Sequence, residues 1–336
     1  MKLYNKDGWL NWPEIMEDSP PLLFITGGRG IGKSYGVVEW FLVNRIPFIY
    51  MRRTQVEAEL QHDPSTCDLE KNFQALGIAA EYQKQAKGKI CRIYDQDLDR
   101  LICEVVALST FASIRSVNFS EFDYIVYDEF IPEPHVKAIK MEGFALLQVY
   151  ESVFRNRELQ GKDPGKMICL SNSLNIANDV FMSFNLIEEA ERMSRDESEI
   201  WSDGKKMLIV CKKSPISKKK SKTLLYSAGS EEFARMAIEN KFILNDFSYV
   251  KKRPLSEYVI DFNVGDLYIF KHKVKNEWYV TFTKGRTRKK YGANKNDLER
   301  LRRERWKFWY RYLEGDVRFD SYKAVALLEK YFSGNI

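Results

Sequence analysis

The chain has 336 residues, 44% hydrophobic and 30% charged, enough apolar mass for two packed domains, which excludes disorder, collagen-like repeats and a coiled-coil rod. Five scattered cysteines with no C-x-x-C pair, and only three histidines, exclude a disulfide framework and a His-rich or Cys-rich metal cluster and suit a reducing, intracellular compartment. The net charge of +6 is uneven: residues 251–336 carry 21 basic and 11 acidic side chains against 32 and 36 in residues 1–250, a basic C-terminal third that suits a polyanion, nucleic acid first.

No segment approaches the roughly 18 unbroken apolar residues of a membrane helix. The N-terminal MKLYNKDGWLNWPE lacks the apolar stretch of a signal peptide, so a soluble, non-exported protein is expected. This arm reads as polar and ends at Pro20-Pro21. Leu22 to Thr26 then reads as a short buried strand, 27–32 as a glycine-rich turn, and Lys33 to Asn44 as a helix with apolar residues at Val37, Trp40 and Phe41. A second apolar strand, Pro47 to Met51, ends in Arg52-Arg53. Strand, turn, helix and strand make a βαβ unit and imply a parallel sheet.

Between 54 and 120 only one strand, Leu101 to Leu108, stands out. Tyr124 to Tyr127 is a further strand, followed by a helix expected from about Val136 to Leu159 and a core strand Met167 to Leu170. Residues 212–222 form a Lys/Ser run typical of a linker or exposed loop. Beyond Lys241 come three strands rich in β-branched and aromatic residues (Tyr258 to Phe262, Leu267 to Phe270, Trp278 to Phe282), then helices Asp297 to Tyr312 and Tyr322 to Tyr331.

The strongest chemical signal is Gly27-Gly28-Arg29-Gly30-Ile31-Gly32-Lys33-Ser34, which fits the P-loop pattern G-x-x-x-x-G-K-[ST]. Glycines let backbone N–H groups curl around phosphate oxygens, and the following helix aims its positive end at the same charge. Lys33 would sit on the β- and γ-phosphates of ATP, and the Ser34 hydroxyl would ligate Mg²⁺. The second signal is the strand 124–127 running into Asp128-Glu129, a Walker B pair in which Asp128 holds the Mg²⁺ shell and Glu129 polarises water.

Arg155 and Arg157 close the helix after Walker B. They read either as partners of the helix dipole or as an arginine finger at a neighbour's phosphoryl group. Ser171-Asn172 at a strand tip reads as a γ-phosphate sensor or as a capping turn. Arg52, Arg53 and Arg115 are phosphate or nucleic-acid contacts or solvated surface residues. The loop Lys284 to Tyr291, with Arg286, Arg288, Lys289 and Lys290, is a basic nucleic-acid candidate. The run Arg300 to Arg311 interleaves arginines with Trp306, Phe308, Trp309 and Tyr310, either a stacking surface or an aromatic core face behind an arginine face.

GGRGIGKSY, FIYMRR, IVYDEFI, SVFRNRE and ICLSN, in this order and at these distances, resemble the DNA-packaging ATPases of small protein-primed podophages of Bacillus and related Gram-positive hosts. The similarity runs from about Leu22 to Leu186 and again over Tyr312 to Lys330. It implies an α/β fold: an ASCE-type P-loop NTPase domain with a mainly parallel sheet over residues 1–200, a linker region over 201–240, and a basic α+β RNase H-like domain over 241–336. It implies an ATP- and Mg²⁺-dependent motor, a homopentameric ring on the procapsid portal (connector) in the host cytoplasm, that drives double-stranded DNA inward, with a structural packaging RNA in the best-known members and no membrane partner. It also implies that Arg155 acts on the neighbour's ATP, with Arg115 a second trans-acting candidate. The chain departs from the family's pattern at Arg115, where Lys is expected, and after Arg53, where no Lys follows. Asp261, Asp266, Asp316 and Asp320 do not make the clustered carboxylates of a two-metal nuclease, so a nuclease fold without nuclease activity is expected. Two other readings stand beside the motor: a P-loop helicase or DNA-repair ATPase, and a nucleotide-switched RNA-binding protein.

Overall fold

β1 (Leu22–Gly27) lies inside a nine-stranded sheet, flanked by β7 (Lys166–Ser171) on one side and β9 (Lys206–Cys211) on the other, parallel to both. In this computed structural model, residues 1–132, 136, 139–172, 175–196, 198–220, 222–224 and 249–333 are described. The parallel core continues outward from β7 through β6 (Tyr124–Asp128), β2 (Phe48–Arg52) and β5 (Arg100–Ala107). At one edge β4 (Ile90–Asp95) and β3 (Ala80–Gln85) add antiparallel to β5; at the other, β8 (Ile200–Ser202) adds antiparallel to β9. The core strands are buried on both faces, which is why they read as continuous apolar runs.

The helix α2 (Lys33–Val43) follows the glycine turn and buries Val37, Val38, Phe41 and Leu42. The Phe41 ring stacks on Phe48 of β2, 4.5 Å between centroids. The N-terminal segment, expected as a polar arm, is part of this core. Leu3, Leu10, Trp12, Ile15 and Met16 are buried, and Trp12–Asp18 forms helix α1. Its apolar residues are few and unevenly spaced among charges, so periodicity does not reveal them.

Other expectations change at element ends. After two short helices, α3 (Gln55–Leu60) and α4 (Glu70–Leu76), the helix after Walker B, α5, runs Glu142–Phe154 rather than from Val136 to Leu159. Met141 at φ 53° and Arg155 at φ 37° stop it at both ends, and neither backbone turn has a sequence signal such as glycine. The 201–240 region is not all linker: β8 and β9 belong to the sheet, and Pro215–Lys220 is a short helix. Residues 221 and 225–240 of that region lie outside the described residues. The long helix expected from Asp297 to Tyr312 is two helices, Lys295–Glu304 and Trp306–Leu313. They break at Arg305, whose side chain is drawn to the Tyr291 hydroxyl (3.0 Å), the Asp261 carboxylate (3.7 Å) and the face of Phe262.

The chain forms two units, residues 1–174 with 193–242, and 175–192 with 243–336. The segment 175–192, expected in the first domain, belongs to the second because it packs on helix Tyr322–Ser333: Asp179 pairs with Lys330, Glu188 with Lys323, and the Glu191 carboxylate accepts from the Tyr322 amide. The sheet of the second unit is an antiparallel meander, β10 (Tyr258–Val264), β11 (Leu267–His272) and β12 (Trp278–Thr281). β13 (Lys290–Tyr291) lies parallel beside β10, and β14 (Val317–Phe319) parallel beside β12.

Packing of the N-terminal segment on α2 makes a prediction. A Cβ added at Gly36 would sit 2.4 Å from Trp12 Cδ1. Alanine is the better helix former by about 1 kcal/mol, so propensity alone favours Gly36→Ala. The Trp12 indole is buried and its Nε1 donates to the Gly32 carbonyl (2.9 Å), so it cannot swing aside without breaking that bond. Overpacking costs about 1–3 kcal/mol. Gly36→Ala is therefore expected to lower the urea midpoint of the first unit. An unchanged or raised midpoint would show that the indole moves freely.

Candidate nucleotide site

The glycine turn leaves β1 at Gly27 and enters α2 at Lys33, with Gly30 at φ 73° and Gly32 at φ 86°. These left-handed positions let the loop close on itself, which side chains with a Cβ resist. Gly27 is needed for a different reason: a Cβ there would meet Cys211 Cβ and Ile31 Cδ1, each at 2.7 Å. The loop is also held from outside by residues that no motif marks. The Leu10 amide donates to the Ile31 carbonyl (3.3 Å), and Trp12 bonds Gly32 as above.

Lys33 is buried in the first turn of α2. Its ammonium donates to the carbonyls of Gly27 (3.1 Å) and Gly28 (2.7 Å) and to Asn172 Oδ1 (3.3 Å). Asn172 follows β7, the strand between β1 and β6, so its amide stands between the loop and the Walker B tip. Of the two residues expected as sensor, only Asn172 meets this site. Ser171 is buried and its hydroxyl is spent on Ile131, accepting from the amide (3.0 Å) and donating to the carbonyl (3.3 Å). A Ser at a strand tip can turn either way along the pleat, and the sequence does not say which.

Asp128 ends β6 and is buried. Its Oδ2 accepts from the Tyr50 hydroxyl (3.0 Å) and from Arg52 Nη1 (3.3 Å); its Oδ1 accepts from the Glu129 amide (3.1 Å). Glu129 has φ 62°, rare for a non-glycine residue and costing about 1–3 kcal/mol where held. Its half-exposed carboxylate pairs with Arg52 Nη2 at 3.0 Å. One guanidinium thus bridges both Walker B acids. Burial, then the Asp128 and Asp68 charges, push the Tyr50 phenol well above its usual range, so it stays a donor to Asp128. For Arg52, burial opposes the cation, but the surrounding Tyr50, Asp128, Glu129 and Asp68 groups raise it further. Arg52 therefore belongs to this site and is committed to its carboxylates rather than displayed for nucleic acid.

Arg53 corrects the sequence reading outright. It is 1% exposed and makes a bidentate pair with Glu142 in the first turn of α5, Nε to Oε1 at 2.8 Å and Nη2 to Oε2 at 2.9 Å. Tyr127, one residue before Asp128, donates to the same Glu142 carboxylate. Arg53 is a buried anchor, not a nucleic-acid contact. Glu142 was missed because a lone Glu in a first helical turn is ordinary.

At the other end of α5, Arg155 is exposed. Its Nε donates to the Ser152 carbonyl (3.1 Å) and its Nη2 to the Arg115 carbonyl (3.2 Å), so the two trans-acting candidates adjoin. Arg157 pairs with Asp123 (2.6 Å) just before β6 begins. A polar depression of about 370 Å³ lies here, lined by Ser116, Asn118, Arg155, Arg157 and Lys162 among others. α5 has 13 residues, so its ends are about 20 Å apart at 1.5 Å per residue. It starts beside the tips of β2 and β6 and ends where β6 starts.

In the second unit, Arg286, Arg288 and Lys289 are exposed on one loop, and Lys290 is exposed at the start of β13. Lys289 also pairs with Asp261 Oδ1 (3.6 Å), the same oxygen that Arg305 faces at 3.7 Å. Asp320 accepts from the Thr281 hydroxyl (2.6 Å) and the Phe282 amide (3.1 Å), and Asp316 from Arg311. Among the described residues no cluster of three or more His, Cys, Asp or Glu side chains is arranged to hold a metal ion, and no helix is long and apolar enough to cross a membrane.

A glycine loop between strand and helix, a buried lysine beneath it and an acidic pair at the tip of a nearby parallel strand define a P-loop nucleotide-binding α/β protein. The chain belongs to the podovirus DNA encapsidation protein (Gp16) family, whose profile matches residues 4–321. The DNA packaging proteins of Bacillus phage PZA and Bacillus phage phi29 are each 28% identical over 260 residues, covering 74% of this chain and 69% of theirs. Two solved structures share the fold. One, the bacteriophage Phi-29 viral genome packaging motor assembly, is similar over 100% of both chains, with TM-score 0.63 and 21% identity. The other, the Phi-28 gp11 DNA packaging motor, is similar over 98% of both, with TM-score 0.61 and 17% identity.

The anchor role of Arg53 is testable. Arg53→Met leaves Glu142 buried without its partner, which costs about 3–5 kcal/mol. Adding Glu142→Leu should recover most of that loss in denaturant unfolding. A fall in duplex-DNA affinity with stability unchanged would instead return Arg53 to the nucleic-acid surface.

Proposed function

We propose that this protein is the ATP-hydrolysing motor that moves double-stranded viral DNA into a preformed procapsid. The observation that carries the reading is the convergence of Lys33, Asn172, Asp128 and Glu129 on one edge of a parallel sheet, in a chain of the DNA encapsidation family. The residues suit Mg·ATP. Lys33 is held by loop carbonyls, an arrangement that incoming phosphate oxygens would replace. Ser34 and Asp128 are hard oxygen donors of the kind Mg²⁺ takes alongside phosphates and water. The metal would neutralise charge on the β- and γ-phosphates.

In this mechanism the backbone of 27–34 cradles the phosphates and Lys33 compensates their charge. Glu129 orients and polarises the attacking water once its carboxylate leaves Arg52. Asn172, in contact with Lys33, reports whether a γ-phosphate is present. Arg155, with Arg115 beside it, completes the site of a neighbouring copy. The helix that carries it starts near its own nucleotide edge and ends about 20 Å away. The assembly is then a homopentameric ring on the procapsid portal in the host cytoplasm, with duplex DNA, the portal and a packaging RNA as partners.

The second unit is read as a vestigial RNase H-like nuclease domain. Its antiparallel meander, with β13 added parallel to β10, suits that fold. Its acids are engaged with Lys289, Arg305, Thr281 and Arg311 rather than grouped for metal ions. The exposed Arg286, Arg288, Lys289 and Lys290 loop is its nucleic-acid contact. A helicase reading would need a second parallel-sheet motor domain, which this unit does not resemble.

The test is turnover of ATP with and without duplex DNA and procapsids. Glu129→Gln should retain ATP binding and lose about 10²–10⁴-fold in turnover. Arg155→Ala should lose about 10³–10⁵-fold. Mixed rings of the two variants should recover part of the activity, because some interfaces then pair an intact Glu129 with an intact Arg155. No recovery in mixed rings verified by mass would place Arg155 in cis or in a structural role.

A further inference from the structure

Arg52 must give up both of its close partners during hydrolysis. Asp128, whose Oδ2 lies 3.3 Å from Nη1, is needed as a Mg²⁺ ligand, and Glu129, 3.0 Å from Nη2, is needed at the attacking water. The Arg52 side chain is only 11% exposed. A cation at that depth is strongly destabilising once its counter-charge is removed, so its release requires another acceptor within reach. Among the described residues one further carboxylate lies within 4 Å of the guanidinium: Asp68, with Oδ2 3.8 Å from Nη1.

The surroundings of Asp68 fit that part. It sits on the loop between α3 and α4, where no motif marks it. The buried side chains of Cys67 and Leu69 flank it, and its amide donates to Oε1 of the buried Gln61 (3.0 Å), so the backbone that carries it is fixed. At 3.8 Å its contact with Arg52 is an ion pair without a hydrogen bond, and the Tyr50 hydroxyl is 3.4 Å away. The same hydroxyl lies 3.0 Å from Asp128 Oδ2. Asp68 and Asp128 thus share two neighbours, Tyr50 and Nη1, with Asp128 the closer to each. Arg52 for its part has its Nε buried with no partner among the described residues, so its present seat does not saturate its donors. A movement of about 1 Å would bring Nη1 within hydrogen-bond range of Asp68.

We infer that Asp68 is a positioning residue for hydrolysis: it receives the Arg52 guanidinium when Asp128 engages Mg²⁺, and so leaves Glu129 free to act on water. The inference rests on the proposed ATP hydrolysis, and it adds the residue that keeps Arg52 compensated while the catalytic carboxylate is in use. Asp68 acts on Arg52 rather than on the nucleotide, so its removal should separate turnover from nucleotide affinity.

The test uses the full chain with duplex DNA and procapsids. Asp68→Asn keeps the size of the side chain and removes its charge. Turnover is expected to fall by about tenfold or more, the weight of a coupling between adjacent charged groups. The Kd of a non-hydrolysable ATP analogue and the urea midpoint should stay unchanged, and Asp68→Glu, which returns the charge, should restore most of the turnover. Wild-type turnover in Asp68→Asn overturns the inference. So does a loss that Asp68→Glu does not relieve, or one matched by an equal loss of analogue affinity. A second arm reads the geometry without turnover. In a structure with Mg²⁺ and the analogue bound, Arg52 should hydrogen-bond Asp68, and Glu129 should be free of it. Arg52 still paired with Glu129, or turned to the γ-phosphate, overturns the inference. A wild-type chain that binds the analogue but hydrolyses no ATP rejects the proposed function instead, and the second arm then decides the transfer of Arg52 by itself.

Discussion

The buried pair between Arg53 and Glu142 joins two elements at the sheet edge that carries the candidate nucleotide site. It ties the first turn of α5 to the end of β2, and Tyr127 ties the same carboxylate to β6 one residue before the Walker B aspartate. A carboxylate this deeply buried is tolerable only with its cation and remaining hydrogen bonds in place. The pair therefore leaves α5 little freedom in where it begins. Helical rise is fixed, so a helix pinned at its start has the distance to its far end set. The direction of the helix is then completed at its far end, where Arg155 bonds the Ser152 and Arg115 carbonyls.

Arg52 and Arg53 show how the extended chain divides two identical side chains between different tasks. Successive residues point to opposite faces. Arg53 turns inward to Glu142, and Arg52 turns to the acids at the tip of β6. The guanidinium of Arg52 compensates Asp128 and Glu129 in a region where two adjacent carboxylates would otherwise repel. The Glu129 whose carboxylate it pairs with sits at φ 62°, a backbone conformation that glutamate does not favour.

The parallel core and its phosphate loop were legible in the sequence because each strand there is buried on both faces and the loop's glycines answer a steric demand that few other residues meet. Trp9, Leu10 and Trp12, which pack beside the loop, were not legible, because three apolar residues between Gly8 and Pro13, interrupted by Asn11, form no periodic pattern. The edge strands β3 and β4 were missed for a related reason. β3 reads AEYQKQ, is half-exposed to exposed along its length, and is a strand only because β4 pairs with it. The assignments that failed, Arg53 and Ser171, share one cause: a polar residue at a strand tip can face the ligand or the core, and its partner, Glu142 or Ile131, is distant in sequence. The aromatic run of the second unit divides in the same way. Phe308 is buried against Phe262 and Phe332, and Trp309 stacks on Phe332, while Trp306 and Tyr310 stay exposed. The core-face reading thus holds for Phe308 and Trp309.

The two units treat charge in opposite ways. In the first, the acids at the tip of β6 share one arginine, and Glu129 keeps a carboxylate that solvent reaches. In the second, Lys289 and Arg305 both face Oδ1 of Asp261, and Asp320 accepts from the Thr281 and Ser321 hydroxyls and the Phe282 amide. A carboxylate that must bind a metal or move a proton cannot have all its lone pairs committed to fixed cations and donors. Glu129, paired with one cation and open to solvent, meets that condition at the edge of the parallel sheet. The carboxylates of the second unit are tied instead into ion pairs and hydrogen bonds of its own fold.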